Sequence, residues 1–251
     1  MTNRQLFIKA IFVFVVFTVM EIIQAAEIKV MASVAFKEPY LEMLPKFEKD
    51  TGNKVLTLWL PTVEIMERVR ANEAVDLLVI SGANIDQLIQ AGKVAPGSRV
   101  DYVKSGIGVG IRKGTPRPDL SSGESLKKAL LSSRAIAYST GPSGVYIAKL
   151  FEQMGIADQI KNKLKVVQGV PAGEVVMRGD ADIGLQQIPE ILSVPGIEYV
   201  GPFPADVQYV TTFSFGIPVG ANNVQVAKDW IDFLKLPSGI PSIKRYGLDP
   251  I

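Results

Sequence analysis

The chain has 251 residues, 47% of them hydrophobic and 21% charged, a mix that supports a buried core and excludes a disordered chain. Lys and Arg number 27 against 25 Asp and Glu, a formal charge of +2, so the basic excess of a nucleic-acid or membrane-surface binder is missing. Cysteine and histidine are both absent, which removes disulfides, thiol nucleophiles, Cys/His zinc sites and every catalytic relay through imidazole.

Residues 1–26 read as an export signal. Arg4 and Lys9 form a basic start, an apolar run follows from Ala10 to Met20, and Ala25-Ala26 offers small residues for cleavage. The run is shorter than the roughly 20 apolar residues of a bilayer span. The expected location of the mature chain is therefore the periplasm, with no cysteine to carry a lipid anchor.

From residue 27 onward, short apolar runs alternate with helical periodicity. Ile28–Ala32 reads as a strand. A helix follows with Tyr40, Leu41, Leu44 and Phe47 on one face, closed by Gly52. Val55–Leu60 is the next strand, and Ile65, Met66 and Val69 mark the next helix. Leu77–Ile80 is an apolar run suited to a strand covered on both faces. Ile85, Leu88 and Ile89 form a short helix before Gly92. This β-α-β-α-β-α order predicts a parallel sheet with right-handed crossovers.

A second unit starts after Gly106–Ile111, an alternating glycine-rich strand. Ala135–Tyr138, Lys165–Val167 and Ile183–Gln187 read as strands, with helices over Val145–Met154 and Glu174–Met177. Val210–Ile217 alternates again, and Val226, Trp230, Phe233 and Leu234 mark the last helix. The long alternating strands near 106–112 and 210–219 are read as crossings between two lobes. The predicted fold is α/β and two-lobed, each lobe a mixed, mainly parallel sheet flanked by helices, with the two crossover strands as hinge. Lobe one is expected over 27–104 plus 210–251, and lobe two over 105–209.

Ligands of parallel α/β sheets sit where strand C-termini meet helix N-termini, whose unpaired N–H groups favour anions. Four such junctions carry small polar residues: Ser33–Lys37, Leu60-Pro61-Thr62, Ser139–Gly144 and Gln186-Gln187. The third is the most distinctive, because its glycines let backbone N–H groups come close to a ligand. Paired buried glutamines need partners, which a ligand's oxygens or the neighbouring backbone can supply. Asp180 and Asp182 read as a polar turn, so no metal site is expected. No phosphate-loop, dinucleotide or serine-hydrolase motif occurs, and no cofactor is expected.

Several stretches together carry a family resemblance. Phe47–Gly52, Val75–Val79, Pro142–Tyr146 and Gly179–Gly184 make the chain resemble the periplasmic solute-binding proteins of the molybdate-binding type, which have a type II binding-protein fold. The resemblance extends over nearly all of the mature chain and implies two lobes closing on a small anion, with delivery to an ABC permease. Gly97–Asp101, Ser105–Val109, Gly184–Gln187 and Val194–Pro202 are closer to a divergent branch that includes an aconitate isomerase.

The family's oxyanion site uses two hydroxyls, backbone N–H groups and a tyrosine. Carried over by position, the first hydroxyl falls on Ala35, with Ser33 two residues earlier, and the second on Thr62. The backbone donors fall at Ser143, its neighbour Gly144 and Val170, and the tyrosine falls on Gln187, next to Gln186. Leaving a compact dianion short of one donor costs about 1–3 kcal/mol. The changes at Ala35 and Gln187 therefore point to an organic carboxylate rather than molybdate or tungstate. The expected function is that of a monomeric periplasmic binding protein. The alternative is an isomerase interconverting cis- and trans-aconitate, whose proton transfer would fall to Lys37, Glu38, Glu64 or Tyr146.

Overall fold

Between residues 27 and 90 each apolar run becomes a strand and each amphipathic stretch a helix. A computed structural model describes residues 25–251; the expected export signal lies, but for its last two residues, outside them. In chain order come β1 (Glu27–Ser33), α1 (Lys37–Thr51), β2 (Lys54–Leu60), α2 (Thr62–Arg70), β3 (Leu77–Ser81), α3 (Gly82–Gln90) and β4 (Val100–Arg112). β1 pairs in parallel with β2 and with β3, and every residue of β3 is buried, as a strand covered on both faces requires. Gly52 closes α1 at φ 74°, a left-handed conformation that glycine adopts without penalty.

The second third contains α4 (Gly123–Ser132), β5 (Ile136–Ser139), α5 (Pro142–Gln153), α6 (Ala157–Ile160), β6 (Leu164–Val167), α7 (Ala172–Met177), β7 (Ile183–Gln187), α8 (Ile188–Leu192) and β8 (Ile197–Pro202). β9 (Val210–Gly216), α9 (Val224–Leu234), α10 (Ile240–Arg245) and β10 (Asp249–Pro250) complete the chain. The strand order is β2-β1-β3-β9-β4-β7-β5-β6, with β8 and β10 also on β4. α4, α6, α8, β8, α10 and β10 were not expected from sequence. α4 does carry a local signal, since the Ser122 hydroxyl accepts from the Ser125 N–H (3.1 Å) as its N-cap.

β4 is the element that joins two α/β lobes. Residues 100–106 pair antiparallel with β9, whereas 107–111 pair with β7 and 108–112 with β8. The strand begins earlier than its alternating part because the register shifts between Asp101 and Val103; such a bulge breaks the two-residue alternation. β9 pairs with β3 and with the first half of β4.

The cores divide the same way. One gathers Phe36, Tyr40, Phe47, Phe213, Phe215 and Trp230. Trp230 sits edge-on to Tyr40 at 5.0 Å and 4.7 Å from Phe47, contacts worth about 0.5–1.5 kcal/mol per pair beyond burial. Another, across β4, gathers Ile107, Leu126, Ile136, Phe151 and Leu185. β4's glycines matter for close approach: a Cβ on Gly108 would stand 2.8 Å from Tyr199 and 3.1 Å from Ile188, and one on Gly110 2.9 Å from Ile191. Bare strand at these positions lets α8 lie directly on β4.

Candidate functional site

The C-terminal ends of β1, β2, β5 and β7 converge, as the ligand-bearing edge of a parallel sheet should. They enclose a cavity of about 60 Å³. From one lobe it is lined by Ser33, Ala35, Trp59, Pro61, Thr62 and Phe213; from the other by Ser143, Val170, Gln186, Gln187 and Glu190, with the Ser139–Pro142 turn. Of the positions expected from sequence, Ser33, Ala35, Thr62, Ser143, Val170, Gln186 and Gln187 are thus brought together. Gly144 does not line the cavity. Its role is packing: a Cβ there would lie 1.5 Å from the Ser139 carbonyl oxygen, so only glycine lets α5 start against the end of β5.

Two helices of nine and twelve residues, α2 and α5, begin at this cavity, and neither has a side-chain N-cap. Their first intrahelical bonds run from Ile65 N–H to Pro61 O and from Val145 N–H to Gly141 O. The N–H groups of Thr62, Val63, Ser143 and Gly144 thus have no protein acceptor among the described residues. Groups of this kind attract anions at close range. The Ser143 hydroxyl is wholly buried and has no hydrogen-bond partner among the described residues, a situation that costs about 1–3 kcal/mol unless something fills it.

The glutamine amides are engaged within the protein. Gln186 Oε1 accepts from the Ala172 N–H (2.6 Å), and its Nε2 donates to Glu190 Oε1 (2.6 Å). Gln187 accepts from the Thr211 hydroxyl and donates to the Ser105 hydroxyl, each at 2.8 Å. It ties β7 to the strands β4 and β9. Both residues shape the cavity, and their amides leave the donor work to the hydroxyls and helix ends.

None of the four proton-transfer candidates lines the cavity. Glu64 is bonded to Arg68 (2.5 Å). Tyr146 donates to the Val207 carbonyl (3.0 Å) and stacks on Tyr209 at 4.8 Å. Lys37 and Glu38 occupy the first turn of α1, half-buried outside the cavity. Among the described residues the ionisable side chain on the cavity wall is Glu190. It is 8% exposed, and burial pushes its carboxyl up to about 8, opposed by the Gln186 bond. It went unnoticed in the sequence; its signal was a lone acid inside Ile188-Pro189-Glu190-Ile191-Leu192.

A recess of about 240 Å³ adjoins the cavity, sharing Thr62, Thr140, Gly141 and Pro142 and adding Val63, Met66 and Arg70. A larger recess of about 780 Å³ lies elsewhere, against Arg112, Arg117, Lys128 and Arg134. Its arginines at 117 and 134 are paired with Glu198 and Asp182, its basic side chains are exposed, and among the described residues no orphaned buried donor faces it. Physical chemistry therefore favours the smaller cavity as the ligand site. Among the described residues, no group of three His, Cys, Asp or Glu is placed to hold a metal ion, and no helix is long and apolar enough to cross a membrane.

Residues 28–249 match the family model of the bacterial extracellular solute-binding proteins. The chain belongs to that family. It is 33% identical over 216 residues to an aconitate isomerase of a Pseudomonas species, spanning 84% of this chain and 82% of that protein. It is 27% identical over 240 residues to the molybdate-binding protein ModA of Azotobacter vinelandii, spanning 89% and 90%. The solved periplasmic molybdate-binding protein of Azotobacter vinelandii superposes with a TM-score of 0.73 at 19% identity, over 88% of this chain and 98% of that one. The fold of this solute-binding protein is thus the two-lobed one anticipated from its sequence.

Proposed function

We propose that this solute-binding protein captures a small organic carboxylate in the periplasm, as a monomer, and presents it to an ABC permease. The observation that carries this reading is the pair of uncapped helix starts at Thr62 and Ser143, together with the buried Ser143 hydroxyl that has no hydrogen-bond partner among the described residues. Together these supply several N–H and O–H donors and no cation, which suits one carboxylate group. The adjoining recess near Arg70 offers room for the rest of an organic acid, which a compact tetrahedral oxyanion would leave empty. Lobes at 27–104 with 210–251 and at 105–209 would close about β4 and the chain entering β9, with Gln187 bracing that joint. A thermal-shift panel of oxyanions and carboxylates tests the reading. A ligand at about 100 times its dissociation constant should stabilise the fold by roughly 2.7 kcal/mol. A shift of that size with molybdate and with no carboxylate would overturn the ligand class.

A second reading, an isomerase acting on aconitate, is favoured by the isomerase relative and by Glu190. A proton shift needs a group that both gives and takes a proton near neutral pH, and Glu190 has that property on the cavity wall. Following cis- and trans-aconitate by NMR separates the two. Interconversion above the buffer rate overturns the pure binder, and binding without conversion overturns the isomerase.

A further inference from the structure

We propose that Glu190 determines specificity in this cavity by entering the complex as a neutral carboxylic acid and donating its proton in a hydrogen bond to the bound anion. The proposal rests on the anion-capture reading. Its geometry is a one-way relay of hydrogen bonds. The Ala172 N–H can only donate, so it fixes Gln186 Oε1 as the acceptor at 2.6 Å. That turns Gln186 Nε2 towards Glu190, whose Oε1 must then accept, again at 2.6 Å. A proton on Glu190 is thereby assigned to Oε2, which has no protein partner among the described residues, on a side chain that lines the cavity.

The surroundings give a carboxylate nothing to pair with. α8 lies against β4, β7, β8, α7 and the 3-10 turn Val34–Phe36. β7 and that turn carry no titratable side chain, and Lys37 follows the turn. α7 brings Glu174, which pairs with Arg178 beyond its end. β8 brings Tyr199 and Glu198, the latter paired with Arg117. β4 brings Asp101, Tyr102, Lys104 and Arg112, of which Asp101 is held by Arg99 and Ser214. None of these forms an ion pair with Glu190. An ionised Glu190 would face an anionic ligand across a cavity of about 60 Å³ with no cation on its wall among the described residues, whereas a protonated one adds a donor to those of Thr62, Ser143 and the helix ends. Burial favours the protonated form at neutral pH.

The test is calorimetric titration of the full mature protein with cis-aconitate and, separately, molybdate, from about pH 7 to about pH 9.5. Wild type should lose affinity about tenfold per pH unit above about pH 8. Glu190→Gln, whose amide keeps both a donor and an acceptor but has no proton to lose in this range, should give a profile that stays flat. A flat wild-type profile needs no variant to overturn the proposal, and so does a Glu190→Gln variant with the wild-type slope. If neither probe binds at any pH, the anion-capture reading itself fails, an outcome distinct from binding that ignores pH.

Discussion

Glu190 makes a prediction that needs no ligand. Its carboxyl rises from an ordinary 4.5 to about 8 in the folded protein because burial disfavours the charge. The folded state therefore keeps a proton that the unfolded state has released. This contribution is fully present below about pH 4.5, is lost progressively as pH rises to about 8, and changes no further above that. At ~1.4 kcal/mol per pH unit, a gap of about 3.5 units amounts to about 5 kcal/mol. Glu190→Gln abolishes this slope and leaves every other titrating group in place, so the difference between the two proteins isolates the one carboxyl. For a chain of this size ~1 kcal/mol moves Tm by about 2–4 °C. The variant should melt near wild type at pH 5 and about 10 °C or more above it at pH 8.5, read by circular dichroism in matched buffers. Melting curves that stay parallel across that range within about 2 °C would refute the assignment of a buried, neutral Glu190.

Three further outcomes follow from the cavity. Ser143→Ala removes a hydroxyl that has no partner, so the unliganded Tm should hold or rise slightly while anion affinity falls about tenfold by calorimetry. Gly144→Ala puts a methyl 1.5 Å from the Ser139 backbone oxygen; α5 must move, and a loss of at least about 2 kcal/mol in denaturant unfolding is expected. Gln187→Leu strands the buried Thr211 hydroxyl, which should cost about 1–3 kcal/mol of stability, while Ser105 keeps its bond to the Gly106 carbonyl. Its effect on affinity should be smaller than that of Ser143→Ala, measured on the same ligand.

Most of the first lobe was legible because its patterns are local. Leu77–Ser81 is apolar throughout and buried throughout, and Gly52 stands where α1 has to stop. The first half of β4 was hidden by its bulge, since Tyr102 and Val103 are both buried although adjacent. α4 was missed because Leu126 and Leu130 are too few to declare a period. The site was legible in its loops, since hydroxyls and glycines at strand ends identify themselves. Glu190 was not, because its meaning comes from α8 lying flat on Gly108 and Gly110, a contact between segments about 80 residues apart in sequence. The two glutamines stood out in the sequence as needing partners, yet a sequence does not show that Ala172, Glu190, Ser105 and Thr211 are already there to meet them.

The most direct measurement is an amide chemical-shift titration of the mature protein with cis-aconitate. The largest perturbations should fall on the N–H groups of Thr62, Val63 and Ser143, at the starts of α2 and α5. Perturbations concentrated instead around Arg112, Lys128 and Arg134, with those three amides still, would contradict the account.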